Sequence, residues 1–142
     1  MATPKKVKKK KQVEKTIPSG QGILFCNFTR NNTRIDLIDL KNGEVLKTNS
    51  GGMMEEKAGG KKFSGAKKTS EIVTDLLVKK TEEAVKKFGI REVIITCVGS
   101  GPARKQALEK LFRSESWNVI ELVDDTPLPL GGGCRPPTRR RV

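Results

Sequence analysis

Apolar and polar residues follow a strand-like pattern in the first half of the chain, beginning near Gly22. Residues 23–29 form an apolar run of strand length, and residues 34–40 alternate with a period of two that is broken only at Ile38. Asn42-Gly43 is a pair typical of tight hairpins, and residues 44–48 return as a third strand. With a turn at residues 30–32, this pattern predicts a three-stranded antiparallel meander.

The period becomes helical after residue 69. Thr69 or Ser70 can cap this helix, Glu71 suits its positive end, and Gly89 can end it. The predicted apolar stripe consists of Val73, Leu76, Leu77, Ala84, Val85 and Phe88.

A strand, a second helix and a last strand follow. Residues 92–98 predict a strand that is buried on both faces. Pro102 suits the first turn of a helix, whose inner face would consist of Ala107, Leu108, Leu111 and Phe112. Residues 117–123 predict the final strand.

The element order βββαβαβ predicts an α/β fold of ribonuclease-H-like topology. A strand–helix–strand crossover is right-handed and gives a parallel pair, so the five-stranded sheet should be mixed, with two main helices. We expect a basic extension over residues 1–19 that is disordered without a partner. The α/β domain should span residues 20–126 with an inserted basic loop at 51–68, and a Pro/Gly/Arg tail should span 127–142.

The net charge of +13 is concentrated in three segments. Residues 1–15 hold seven lysines and one glutamate, residues 57–68 hold five lysines, and residues 135–142 hold four arginines. The rest of the chain is close to neutral. Cationic extensions on a nearly neutral domain indicate a polyanionic partner such as folded RNA.

Nucleases of this topology bind two metal ions, so the topology raises the hypothesis that the chain is a nuclease. Their first aspartate lies in the middle of the first strand, where this chain has no acid. We interpret Asp36 and Asp39 as solvent-facing, and Asp124-Asp125 as part of a turn or a salt bridge. Without histidine, His-based acid–base and triad chemistry is excluded. Residues 99–102 could cradle a backbone phosphate but lack the end of a nucleotide P-loop. We therefore predict no enzyme.

Cys26, Cys97 and Cys134 are too widely spaced to predict a metal site, and we expect no metal and no cofactor. The odd cysteine count and the absence of an apolar signal region favour a reducing compartment. The sequence after Met1 is poor in arginine and serine, and so resembles an import sequence poorly. No apolar run reaches the roughly 20 residues that span a bilayer.

The C-terminal string carries a resemblance to a known family. Residues 124–129 read Asp-Asp-Thr-Pro-Leu-Pro, and residues 133–142 read Gly-Cys-Arg-Pro-Pro-Thr-Arg-Arg-Arg-Val. This string closely resembles the end of the bacterial and organellar S-eleven family of small-subunit ribosomal proteins. Three further blocks are similar in the same order, and the resemblance covers roughly residues 20–142. These blocks are Asn31-Asn32-Thr33, the basic loop 63–69 and Gly99-Ser100-Gly101-Pro102-Ala103-Arg104.

The chain departs from the family pattern at three places. Gly131-Gly132 replaces a His-Asn pair, about eight extra residues around Met53 to Gly60 lengthen a loop, and bulkier residues replace alanines in the first helix. Such drift suggests an organelle or a fast-evolving bacterium more than a typical bacterium. We favour a ribosome in a mitochondrion or plastid, and one in the bacterial cytoplasm is the alternative.

The resemblance implies a place on the small-subunit platform, near the mRNA exit and the E site. The implied partners are small-subunit rRNA, neighbouring platform proteins and mRNA near the exit, with no membrane and no small-molecule substrate. Lys5 to Lys11 would act as mobile charges, and the arginines of the tail would bind phosphate, beside a turn fixed by prolines. Candidate rRNA-binding residues are Lys8, Lys9, Lys10, Lys11, Asn31, Asn32, Lys61, Lys62, Phe63, Gly65, Lys67, Lys68, Gly101, Arg104, Thr126, Pro127, Arg135, Pro136, Pro137, Arg139, Arg140 and Arg141.

Alternatives remain open for several of these assignments. Phe63 could stack on an unpaired base or anchor its loop to the core, and the two asparagines could serve only the turn. A basic tail could also be merely solvated. The alternative function is a free RNA chaperone with the same fold, and a membrane-surface role is disfavoured because no basic amphipathic helix is present.

Overall fold

A computed structural model of the chain describes residues 20–56 and 60–128. Strands β1, β2 and β3 are followed by two short 3₁₀ turns, helix α1, strand β4, helix α2 and strand β5. Their bounds are Gln21–Phe28 (β1), Thr33–Asp39 (β2), Val45–Ser50 (β3), Gly51–Met53 and Gly65–Thr69 (the 3₁₀ turns), Glu71–Phe88 (α1), Glu92–Val98 (β4), Arg104–Arg113 (α2) and Asn118–Asp124 (β5).

The five strands form one mixed sheet in the order β3-β2-β1-β4-β5. The pairs β1–β2 and β2–β3 are antiparallel, whereas β1–β4 and β4–β5 are parallel. Helix α1 connects β3 to β4, and helix α2 connects β4 to β5. Both strands of each pair run in the same direction, so both helices are crossover connections between parallel strands. The predicted order and fold class are therefore confirmed.

Both helices pack on one face of the sheet. Leu24, Leu37 and Ile95 are register neighbours on that face, and all three are buried. They share one core with Val73 and Leu77 of α1 and with residues of α2. The opposite face carries half-buried residues such as Ile23 and Ile94, and no described helix covers it. The prediction that β4 is buried on both faces is therefore wrong, since only alternate residues are buried.

The ends of α1 agree with the sequence prediction. Ser70 is the N-cap residue, although its side chain makes no capping hydrogen bond, and Gly89 ends the helix in the left-handed conformation. In α2, Ala107 and Leu111 are buried and Leu108 is partly buried, but Phe112 is mostly exposed. Phe112 therefore does not belong to the inner face that we predicted.

Two aspartates predicted to face solvent are buried. Asp36 accepts a hydrogen bond from Arg34 Nε at 3.0 Å, on the face without helices. Asp39 shares the helix-covered face with Leu37, and only 1 % of its surface is exposed. Its carboxylate accepts hydrogen bonds from the Lys41 amide at 3.4 Å and from Asn42 Nδ2 at 3.0 Å. Each carboxylate is buried because a local donor satisfies it.

The two described cysteines lie side by side in the core. Cys26 and Cys97 are register partners on β1 and β4, and both are buried. Burial raises the pKa of each thiol above its ordinary value. A raised pKa disfavours the reactive thiolate, so both residues act as small apolar side chains.

Candidate nucleic-acid interface

Described parts of several predicted RNA-binding segments lie at one end of the sheet, where β1, β4 and β5 end. The Gly101 amide of the loop after β4 donates a hydrogen bond to the Phe28 carbonyl at 3.1 Å. The Gly99 amide donates to Thr126 Oγ1, just after β5, at 3.2 Å. Gly51, in the loop after β3, packs closely against Lys68 and Asn32. A methyl group added to it would lie 2.5 Å from the Lys68 carbonyl oxygen and 3.1 Å from Asn32 Oδ1. Three loops and the start of the tail thus form one surface, which we call the sheet-end surface.

The turn between β1 and β2 is held by a residue that sequence reasoning did not single out. Thr29 Oγ1 donates to the Asn32 carbonyl at 2.9 Å and accepts from the Asn32 amide at 3.0 Å. Asn31 is exposed, whereas Asn32 Oδ1 is buried without a hydrogen-bond partner in the described part of the chain. Asn31 can therefore reach a partner directly, and the Asn32 side chain faces inward.

The basic loop presents its lysines and buries its phenylalanine. Lys61, Lys62 and Lys67 are exposed, as is Gly65, and Lys68 is half-buried. None of the four lysines pairs with an acid within residues 20–56 and 60–128. Phe63 is only 9 % exposed and belongs to the core cluster, and its amide donates to the Met54 carbonyl at 3.2 Å. This burial favours the alternative in which Phe63 anchors the loop, because a buried ring cannot stack on a base.

Arg104 is bonded to the protein itself. Its Nη1 donates to the Gly99 carbonyl at 2.8 Å and to Thr126 Oγ1 at 3.3 Å. Its Nη2 donates to Asp124 Oδ2 at 2.5 Å. Thr126 Oγ1 in turn donates to Asp124 Oδ1 at 2.6 Å. We call Arg104, Asp124 and Thr126 the clamp, because they join the start of α2 to the chain that leaves β5.

The charge states of the clamp support this pairing. The hydrogen bond from Thr126, followed by that from Arg104, lowers the pKa of the Asp124 carboxyl. The hydrogen bond to Asp124 raises the pKa of the Arg104 guanidinium. Both groups are therefore charged at neutral pH. Arg104 and Thr126 are candidate rRNA-binding residues, and the structure places their polar atoms against each other and against Asp124.

The glycine loop after β4 is a packing element. Its Gly99 and Gly101 amides donate to protein acceptors, and Pro102 has no amide hydrogen. An added methyl group would lie 2.2 Å from the Phe28 carbonyl oxygen at Gly99 and 2.3 Å from the Thr29 carbonyl oxygen at Gly101. The interpretation as a phosphate cradle is wrong for these two amides, because their hydrogens are already bonded.

The described acids form no metal-binding cluster. No group of three or more His, Cys, Asp or Glu side chains within 20–56 and 60–128 could hold an ion. Asp36 and Asp39 are engaged by neighbouring donors. No helix in the described ranges is long and apolar enough to cross a bilayer.

Comparison with known proteins identifies the family. The model of the family "Ribosomal protein S11" matches residues 22–141. The chain belongs to the ribosomal protein S11 family. It is 36 % identical to the small ribosomal subunit protein uS11 of Helicobacter pylori (strain P12) over 142 residues, which is all of both chains. It is 38 % identical to uS11 of Helicobacter hepaticus over 138 residues, covering 97 % of this chain and 98 % of that protein.

A further uS11 protein, that of Teredinibacter turnerae, is 30 % identical over the full length of both chains. All three relatives are bacterial. They give no support to the mitochondrial or plastid ribosome that the departures from the family pattern had favoured.

The S11 match includes segments outside the described residues. The predictions for the basic extension 1–19 and for most of the tail concern residues outside the described ranges. The exact domain bounds also stay predictions. The residues concerned are Lys8, Lys9, Lys10, Lys11, Gly131, Gly132, Cys134, Arg135, Pro136, Pro137, Arg139, Arg140 and Arg141. Pro127 is described and exposed, one residue beyond the clamp.

Proposed function

We propose that this chain binds small-subunit rRNA through the sheet-end surface, together with the basic segments 1–19 and 129–142. As a member of the S11 family, it is a structural, non-enzymatic constituent of the small ribosomal subunit and acts in translation. The rRNA-contacting residues proposed on the sheet-end surface are Asn31, Lys61, Lys62, Lys67, Lys68 and Pro127.

The observation that carries the proposal is that lysines without an ion pair to a described acid and the start of the tail lie at the same end of the sheet. The second 3₁₀ turn, with Lys67 and Lys68, contacts the loop after β3 and the turn that presents Asn31. The clamp fixes the chain beyond β5 at the same end of the sheet. Lysines that pair with no acid within residues 20–56 and 60–128 can neutralise phosphates and release counterions, which favours binding to a polyanion.

The proposed location is the platform of a bacterial small subunit, near the mRNA exit and the E site. Neighbouring platform proteins are further proposed partners, as is mRNA near the exit. Bacterial relatives support a ribosome in the bacterial cytoplasm.

A salt titration of rRNA binding tests the sheet-end surface. We expect Lys67→Gln with Lys68→Gln to reduce the slope of log affinity against log salt by about 0.7–0.9 for each phosphate that the protein no longer neutralises. The measurement is binding of the full chain to small-subunit rRNA at several salt concentrations.

The matched control is Lys79→Gln with Lys86→Gln, which removes the same charge from exposed positions on α1. This control should leave the slope nearly unchanged. Equal slope changes in the two double variants would show that only net charge matters, and the proposed surface would be wrong. Equal affinity for small-subunit rRNA and unrelated RNA would favour the RNA chaperone.

A further inference from the structure

A groove lies between the edge strand β3 and the second half of α1. Its volume is about 550 Å³. The apolar part of its lining, which we call the floor, includes buried Met54 and Ala84 and partly buried Leu46 and Phe88, beside the buried polar residue Asn49. Met53 lies at its border and is 51 % exposed. Both methionines come from the start of the lengthened loop, so this departure from the family pattern helps to build the groove.

Lysines surround the apolar floor. Lys47, Lys80 and Lys87 line the groove and are exposed, against one acid, Glu83. None of the three lysines forms an ion pair with a described acid. The groove therefore presents a cationic rim around apolar surface, which is complementary to a ligand with acidic and apolar groups.

The groove also borders an unpaired strand edge. Strand β3 is the last strand on its side of the sheet, and no strand within residues 20–56 and 60–128 pairs with its outer edge. Such an edge can accept an extended segment from another chain through main-chain hydrogen bonds. Methionines line adaptable binding surfaces because their side chains are flexible and polarisable.

We propose that this groove binds an extended acidic and apolar segment of a neighbouring protein in the small subunit. The segment pairs with the edge of β3, places apolar side chains on the methionine floor and sets carboxylates beside the lysine rim. This proposal rests on the small-subunit role proposed above.

Two other occupants fit the groove less well. RNA phosphates would use the lysines but would leave the apolar floor and the strand edge without partners. The chain's own terminal segments are strongly basic, with seven lysines in residues 1–15 and four arginines in residues 135–142. The lysine rim would repel them.

Photocrosslinking in assembled small subunits tests the proposal. A p-benzoylphenylalanine residue replaces Met53, the full chain is incorporated into subunits, and the illuminated product is digested with ribonuclease or protease. We expect a ribonuclease-resistant adduct to a second protein, and mass spectrometry should locate it in a segment with net negative charge. The same probe at Ile72, an exposed apolar residue at the start of α1, should not give this adduct.

Charge reversal provides the second measurement. Lys80→Glu with Lys87→Glu should reduce the yield of the adduct about tenfold, because two attractive contacts become repulsive. Lys79→Glu with Lys86→Glu, one residue earlier on the same helix, should leave the yield unchanged. Adducts to rRNA, to a basic segment or to nothing would overturn the groove proposal, as would an equal decrease with both charge variants. Failure of the probe-carrying chain to enter subunits would instead count against the proposed function.

Discussion

At the scale of single residues, the hydrogen bonds of Arg104 favour a positioning role over direct contact with RNA. Its guanidinium donates to Asp124, Thr126 and the Gly99 carbonyl. A guanidinium with several protein acceptors has little capacity left for a phosphate. We therefore assign it a positioning role, in which the clamp sets the direction of the chain as it leaves β5.

A double-mutant cycle separates positioning from phosphate contact. We expect Arg104→Gln and Asp124→Asn each to weaken binding to small-subunit rRNA by about three- to tenfold, and the double variant to be no weaker than either. Removal of either partner releases the same segment, so the two effects should not add. Binding is measured with the full-length chain at one fixed salt concentration.

The decisive variant in this cycle is Asp124→Asn. It removes a negative charge from an RNA-binding protein, so simple electrostatics predicts tighter binding. If Arg104 contacted phosphate, freeing it from Asp124 would likewise strengthen binding. Tighter or unchanged binding of Asp124→Asn would therefore contradict the positioning role.

The sequence places Arg104 and Asp124 in two separate motifs and does not show that they are partners. Arg104 and Asp124 are 20 residues apart, and only the parallel pairing of β4 with β5 brings them together. The burial of Asp39 was missed for a related reason. Alternation predicts the face of a residue, but the Lys41 and Asn42 donors that permit its burial depend on the geometry of the turn.

At the scale of elements, periodicity was a good guide because each strand or helix buries one face. The meander, both helices and the crossovers follow from it. Its limits appear at β5, where periodicity predicts a strand but not that Ile120, Leu122 and Val123 are exposed. An edge strand can carry apolar residues that no described element covers, and the sequence does not say which strand lies at the edge.

The glycines of the loop after β4 are compatible with two roles. Glycine can expose its amide to a phosphate, or it can allow two backbone segments to pack closely. The sequence does not distinguish these roles.

Replacement of Gly101 tests the packing role of that loop. We expect Gly101→Ala to destabilise the free protein by about 1–3 kcal/mol, because the new methyl group would overlap the Thr29 carbonyl oxygen. Thermal unfolding should show a melting temperature lower by roughly 4–8 °C per kcal/mol.

Gly52→Ala is the control for this experiment. Its added methyl group would make only an ordinary contact, 3.5 Å from Lys68 Cε, and should change the melting temperature little. If Gly101→Ala melted like the wild type, the loop would not be packed tightly against β1. A phosphate-binding role for its amides would then be open again.

At the scale of the whole molecule, charge and fold are divided between different parts of the chain. The domain supplies a nearly neutral sheet with two helices on one face, and the basic segments supply most of the net charge of +13. The sheet-end surface joins the two, because the clamp and the second 3₁₀ turn of the basic loop lie at the same end of the sheet, the clamp beside β5 and the turn beside β3. The groove beside β3 is the place proposed for a protein neighbour, and the sheet-end surface is the place proposed for RNA. Composition indicated the polyanionic partner, whereas the groove depends on tertiary packing and could not be predicted.

Co-sedimentation with ribosomal subunits tests the central claim most directly. Tagged full-length chain is expressed in a bacterial host, and the lysate is fractionated on a sucrose gradient in moderate salt. We expect the chain in the small-subunit fraction at one copy per subunit, and a variant that lacks residues 135–142 should be depleted from that fraction. A chain that stays in the soluble pool, or that follows mRNA instead of the small subunit, would contradict a structural role in the ribosome.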